Sequence, residues 1–374
     1  MAEDARAPFK EHLGPAAVAR IAAAFTRAHA DFDAEGFTRA AVEGLDALEL
    51  TPRVAHVGEA LVRHLPADFA EVSVILQRVA RAWAPAAPGE TGVGFAAWPL
   101  FHVVPAMGLH DFDRGMETLR VLTPIFSAEG AIRPFIDRYP EAAFERLHAW
   151  VDDPDPHVRR LVSEGTRPRL PWFARVAYLT RTPRAGLGLL DRLVDDPSLY
   201  VRRSVANHLN DISRADPDLA IGAARRWLSA PTLERRWIVR HALRSLVKAG
   251  HPEVFALLGH DAQVAFSAGP AHVAPAAVPF GGRVSFGLSL TTGDTPARWV
   301  VDYAVTFAGA RGQPRRKVFK GSACTLAAGE TRAFAFVHDF RPITTRRYYP
   351  GPHAFEVLVN GQVAGGGAFE LLAP

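Results

Sequence analysis

Two segments of this chain share a frame that leaves few architectures open. "VDDPDPHVRRLVSEG" begins at Val151, and "VDDPSLYVRRSVANH" begins at Val194, 43 residues later. The common pattern is V-D-D-P-x-x-x-V-R-R-x-V. A fainter third copy, "IVRHALRSL", places Val239-Arg240 38 residues beyond Val201-Arg202. A period of about 40 residues with helical content predicts paired helices stacked as HEAT-like repeats, because a unit that cannot bury its apolar face alone buries it against the next copy. The Asp-Pro pair in each copy is expected to open a helix, with the aspartate capping and the proline fixing the first-turn φ.

The repeat sits in a longer helical half. From Gly14 to Leu258, "AAVARIAAAF", "AEVSVILQRVARAW", "GMETLRVLTPIF" and "AAFERLHAWV" space their apolar residues at three and four. Pro and Gly punctuate them, as at "APAAPGETG". After Gly269 the pattern turns toward alternation in "RVSFGLSL", "RWVVDYAVTFAG", "ETRAFAFVHDF" and "HAFEVLVNG". The turn signals "TTGD", "GARGQP", "AAGE", "YPG" and "NGQ" separate these segments. The expectation is an all-α repeat solenoid over residues 1–262, then an immunoglobulin-like β-sandwich over 270–374, with the stretch around "HDAQVAFSAGPAHVAPAAVPFGG" as linker. The single cysteine, Cys324, excludes an intramolecular disulfide and a Cys-rich zinc site.

Charge is unevenly spread. Lys plus Arg against Asp plus Glu is 14 to 20 over residues 1–150, 18 to 11 over 151–250 and 11 to 6 over 270–374. An acidic start followed by basic regions points to an acidic partner such as nucleic acid. Arginine richness from base composition is the bland alternative, since lysine occurs only at Lys10, Lys248, Lys317 and Lys320. The start "MAEDARAPFK" lacks an apolar signal core and no run reaches membrane-spanning length, which suggests a soluble cytoplasmic chain. No H-E-x-x-H, Walker or G-x-S-x-G motif is present, and the histidines lack ligand spacing.

On a helical wheel Val158, Leu161, Val162 and Gly165 share one face, and Arg160 and Glu164 stand at i,i+4 on another. Arg203, Asn207 and Asp211 line one face of the second copy. A surface Arg–Glu pair worth a few tenths of a kcal/mol is the plain reading; repetition favours a functional strip. In the following loop, Pro168 and Pro171 stiffen Arg167 and Arg169, and Trp172 is expected to start the next helix, as a core aromatic or as a contact for a cation.

"HVRRLVSEGTRPRLPW" from His157, "LTPIFSAEGAIRPFI" from Leu122 and "YVRRSVANHLNDIS" from Tyr200 are together similar to blocks of the AlkC/AlkD DNA alkylation-repair glycosylases. The chain most resembles AlkC, and "KVFK", "TTRRYYPG" and "LVNG" resemble its immunoglobulin-like domain. Gly130 stands where a larger residue is expected. The resemblance implies excision of cationic 3-methyladenine and 3-methylcytosine from duplex DNA without base flipping, with no metal and no cofactor.

An N-alkylated base leaves without a general acid, so the hard species is the oxocarbenium-like sugar, which a fixed carboxylate stabilises. Glu164 is the first choice for that carboxylate, Glu129 the second through the resemblance, and Asp211 the third; Trp172 would face the cationic nucleotide. Arg159, Arg160, Arg167, Arg169, Arg202, Arg203, Asn207 and Asn210 are assigned to DNA binding, with Arg346 and Arg347 as a basic tip on the sandwich. A monomer is expected. The competing reading is a non-catalytic HEAT-repeat module that binds DNA or an acidic protein. An enzyme acting on RNA or nucleotides has no motif behind it.

Overall fold

The computed structural model describes residues 9–83, 93–261, 264–310, 312–343 and 346–373. The first eight residues and the Pro- and Gly-rich break at 84–92 lie outside the described residues. Cα packing divides the chain into two compact units: Met1–Ile212 with Leu233–Ile238, and Ser213–Thr232 with Val239–Pro374.

The first unit is helical. Its first part holds α1 (Pro15–Ala28), α2 (Ala34–Val42), α3 (Leu50–His64), α4 (Phe69–Ala82), α5 (Val93–Gly108) and α6 (Phe112–Leu122). Its second part holds α7 (Arg133–Arg138), α8 (Pro140–Trp150), α9 (Pro156–Gly165), α10 (Ala177–Arg181), α11 (Pro183–Leu193) and α12 (Leu199–Ile212). The three-and-four spacing buries Val18, Ile21 and Phe25 on α1 and Val72, Leu76 and Val79 on α4. Asp33, Asp68, Asp111 and Asp155 each accept a backbone N–H of the turn they open, which meets an otherwise orphaned donor. Helix α5 follows another logic. It buries Ala97, Leu100, Phe101, Val103 and Val104 among α1, α3, α4 and α6, and it continues through Pro99 and Pro105. Enclosure by four neighbours outweighs the hydrogen bonds those prolines remove.

The repeat frame builds a ladder of arginines. Arg159 sets Nε 2.6 Å and Nη2 3.2 Å from the Asp196 carboxylate, and its Nη1 donates to the carbonyls of Asp153 (2.8 Å) and Pro154 (3.0 Å). Arg202 donates likewise to the carbonyls of Asp196 (2.6 Å) and Pro197 (2.9 Å). The first arginine of each R-R pair therefore clamps the turn that opens its own helix. The expected capping needs correction. Asp153 and Asp196 accept the backbone N–H two residues on, at 2.9 and 2.8 Å, and so form Asx turns; the cap of α9 is Asp155. Arg120 of α6 reaches Asp153 at 3.0 Å as Arg159 reaches Asp196, so the ladder extends one step before the recognisable motif.

The second unit contains α13 (Pro217–Leu228), the end of α14 (Leu233–Ala242), α15 (Arg244–Lys248) and α16 (Pro252–Leu257). Among the described residues nine strands follow: β1 (Phe266–Ala268), β2 (His272–Ala274), β3 (Ala277–Val278), β4 (Arg283–Thr292), β5 (Ala297–Phe307), β6 (Arg315–Leu326), β7 (Thr331–Asp339), β8 (Gly351–Val359) and β9 (Gln362–Leu371). One sheet groups β1, β2 and β7 around β4; the other runs β3-β9-β8-β5-β6. Alternation on β4, β5 and β8 sends Phe286, Trp299, Val301, Phe355 and Val357 into a common core, where Phe286 stacks on Phe355 at 4.5 Å. The expected Asn-Gly turn joins β8 to β9, with Asn360 at φ 47° and Gly361 at φ 83°. Gly361 also passes so close to Gly250 that an added Cβ would lie 2.4 Å from its Cα. The chain is thus an all-α repeat region followed by a β-sandwich. Among the described residues no helix is long and apolar enough to cross a membrane.

Candidate active site

Three acids and two arginines form one chain of contacts in the helical unit. Arg160 Nη1 lies 2.7 Å from Glu129 Oε2, and its Nη2 lies 3.6 Å from Glu164 Oε1. Arg167 Nη1 donates to Glu164 Oε1 at 2.6 Å, and its Nε to Asp211 Oδ2 at 2.8 Å. Ser204 Oγ takes the other oxygen of Glu164, Oε2, at 2.6 Å, and Ser127 Oγ donates to Glu129 Oε2 at 2.8 Å. The Glu164 and Asp211 side chains are 7% exposed and Arg167 is 9% exposed, while Glu129 keeps 21%. Burial works against the charge of Arg167, but Glu164 and Asp211 more than offset it and raise its pKa. Arg160 is raised in the same sense, with Glu164 and Glu129 outweighing burial. A buried pair this well bonded is worth little as net stability, but removing one partner strands the other at high cost.

Local sequence explains the convergence. Gly165 lets α9 press on the 129–132 turn, since a Cβ there would meet Ile132 Cγ2 at 2.7 Å. Arg167 lies beyond the α9 C-terminus and folds back, held from behind by Arg133, which donates to the carbonyls of Gly165 (3.1 Å) and Arg167 (2.9 Å). Burial, with Arg167 close by, pushes the Arg133 pKa down to about 10. His208 is fully buried, holds the Ser163 carbonyl at 2.9 Å through Nδ1, and is pushed down to about 3, mainly by burial.

Trp172 does not start a helix. It lies in a turn at φ 68°, 63% exposed, and α10 begins only at Ala177. A left-handed tryptophan costs on the order of 1–3 kcal/mol, a strain that surrounding contacts must hold. The Trp172 ring stands 5.8 Å from Trp98, whose ring packs on Phe126 (5.4 Å) and Phe173 (6.1 Å). Phe173 also explains Gly130: a Cβ at that glycine would fall 1.9 Å from the Phe173 ring. The missing side chain is what lets the tryptophan loop close.

The arginines divide into two groups. Arg160 and Arg167, expected to meet phosphates, each pair with carboxylates in this structure. Arg159 and Arg202, given the same role, clamp the repeat turns because their donors find carbonyls and Asp196 first. Asn210, also assigned to DNA, is 1% exposed. Arg169 and Arg203 are exposed and Asn207 is half-buried. Sequence reasoning missed Ser127, Ser163, Ser204, Arg133, Tyr200 and His208. Ser204 had a signal: it replaces Leu161 of the first copy at a core position. Tyr200 had one in its quoted block, and its ring lies 4.8 Å from the Arg160 guanidinium.

In the second unit Arg346 lies 4.5 Å from the Phe307 ring centroid and Arg347 lies 5.5 Å from that of Tyr349. Both line a recess of about 450 Å³ with Arg315, Arg316 and Lys317. Burial, Arg346 and Lys248 together lower the pKa of Lys317. Tyr348 is tucked into the core, while Thr344 and Thr345 of the same stretch lie outside the described residues. Among the described residues no cluster of His, Cys, Asp or Glu could hold a metal.

Residues 268–373 match the family described as "Uncharacterised protein YhaZ, C-terminal Ig-like domain". The uncharacterized protein YhaZ of Bacillus subtilis (strain 168) is 31% identical over 316 residues, 84% of this chain and 85% of that one. The Pseudomonas fluorescens alkylpurine DNA glycosylase AlkC, solved bound to DNA containing an abasic site analog, superposes with a TM-score of 0.91 at 37% identity, over 98% of this chain and 100% of that one. Fold, motif blocks and identity along the whole length agree: the chain belongs to the AlkC family.

Proposed function

We propose that this protein is a DNA glycosylase of base excision repair that removes cationic N-alkylated bases, 3-methyladenine and 3-methylcytosine, from duplex DNA. The observation that carries the reading is the pinning of Glu164 and Asp211 on the two sides of the buried Arg167. A module that only grips phosphates gains nothing from buried acids, whereas a reaction through a sugar cation gains from negative charge held rigidly in advance. The alkylpurine glycosylase relative and its abasic-site DNA complex support the same chemistry.

The alkylated base carries its own positive charge and departs as a neutral molecule. Charge then develops on the deoxyribose, and Glu164 supplies the fixed countercharge. Glu129, the most exposed of the acids, orients the attacking water, and Asp211 keeps Arg167 in place. The exposed Trp172 ring turns toward the cationic nucleotide, a contact worth roughly 0.5–2 kcal/mol. The lesion is read without being flipped into a pocket. Arg169, Arg203 and Asn207 hold the backbone from the helical domain, taken as residues 1–262. Arg346 and Arg347, at the basic recess of the domain over 270–374, take phosphates independently. The enzyme works as a monomer in the cytoplasm, on the nucleoid.

The test is release of free base from methylated duplex DNA by the purified full chain with no metal added. Free 3-methyladenine in the supernatant is expected. DNA binding without release would establish the scaffold reading instead.

A further inference from the structure

We infer that Ser204 is a positioning residue for the glycosylase reaction, the end of a two-hydroxyl relay that fixes the carboxylate plane of Glu164. The inference rests on the glycosylase reading above. Ser204 Oγ lies 2.6 Å from Glu164 Oε2 and 2.9 Å from Ser163 Oγ. Ser204 is 2% exposed and Ser163 is 0% exposed, so water does not substitute for either. A hydroxyl has one proton to give, and an ionised carboxylate has none. Ser204 therefore donates to Glu164, while its Oγ stays in contact with the Ser163 hydroxyl at 2.9 Å. Each bond in such a chain polarises the next, in an interior where water does not compete.

The relay is anchored at its far end. His208 stands one turn after Ser204 on α12, and its Nδ1 holds the carbonyl of Ser163 at 2.9 Å. The bond to that carbonyl places the proton on Nδ1. α12 thus grips Ser163 twice, once at the side chain and once at the main chain. The two oxygens of Glu164 are then held by different means. Oε1 faces the guanidiniums of Arg167 at 2.6 Å and Arg160 at 3.6 Å. Oε2 faces Ser204. Charge alone would tolerate rotation about the last side-chain bond of Glu164; the directional O–H bond does not. At the equivalent place in the first repeat copy stands Leu161, so the hydroxyl is not a requirement of the repeat packing.

The test compares the full-length wild type with Ser204→Ala, Ser204→Thr and Ser163→Ala. It measures single-turnover release of 3-methyladenine across pH 5–9, affinity for duplex DNA with an abasic-site analogue, and thermal stability. Ser204→Ala is expected to lower the excision rate constant roughly 10- to 100-fold, the scale of one hydrogen bond to a charged group. DNA affinity should stay within about twofold of wild type, less than the effect of one such bond. Ser204→Thr keeps the hydroxyl and should recover most of the rate, and Ser163→Ala should fall between wild type and Ser204→Ala. A wild-type rate in Ser204→Ala overturns the relay, as does a Thr variant no better than Ala. If Ser204→Ala does not fold, Ser163→Ala decides alone, by a lowered rate or an unchanged one. A wild type that releases no base defeats the glycosylase reading itself and is distinguishable from either result.

Discussion

The two copies of the repeat frame start alike and end differently. In both, the first arginine of the pair, Arg159 or Arg202, grips the carbonyls of its own Asp-Pro turn. The second arginine diverges: Arg160 lies between Glu129 and Glu164, whereas Arg203 is exposed. Beyond that point Glu164 faces Asn207 in the alignment, Arg167 faces Asn210, and Leu161 faces Ser204. What the copies share builds the solenoid, and what they do not share builds the site. A repeat protein can specialise one position only where the stacking does not depend on it.

The strongest way to break this comparison is Arg167→Met. It leaves Glu164 and Asp211 buried without their shared cation, and stability should fall by about 3–5 kcal/mol in urea denaturation. A loss under about 1 kcal/mol, the level of an exposed pair, would mean that the acids are not coupled through Arg167.

Next in size is an acid sensitivity from His208, whose counterpart in the first copy is Gly165. Its folded pKa of about 3 lies below the unfolded value of 6.5. As pH falls, the unfolded chain therefore binds the proton first. This site costs nothing above pH 6.5, and stability declines from there toward pH 3. The loss at pH 5 relative to pH 7 should be about 2 kcal/mol, at roughly 1.4 kcal/mol per unit. His208→Asn, which can keep a donor on the Ser163 carbonyl, should flatten that slope; an unchanged slope would place the acid sensitivity elsewhere.

The smallest effect belongs to Arg203. Arg203→Ala should change stability by less than about 0.5 kcal/mol. It should weaken DNA binding across sequences and lower the slope of log K against log salt by about 0.9, the release of one phosphate's counterion. An unchanged slope would remove Arg203 from the DNA contacts.

Much of the fold was legible because repeats and alternation are local signals. The frame at Val151 and Val194, the three-and-four spacing of α1 and α4, and the Asn-Gly turn at Asn360 announced their elements. Helix α5 did not, since a helix enclosed on all sides shows no apolar stripe and its two prolines read as breaks. At the site, the residue types were legible, but which acid each arginine would reach was not. Sequence spacing puts Arg160 beside Glu164, but only folding brings Glu129 and Asp211 close enough to claim Arg160 and Arg167. The tryptophan loop was hidden for the same reason, because nothing adjacent to Gly130 tells that Phe173 will lie on it.

Glu164→Gln tests the account most directly, since it removes one charge and keeps the shape of the side chain. Single-turnover release of 3-methyladenine from methylated duplex should fall roughly 10²–10³-fold, the usual loss when a preorganised electrostatic contact is removed. Affinity for abasic-site DNA should be nearly unchanged. Release at the wild-type rate would show that the charge at residue 164 takes no part in breaking the glycosidic bond.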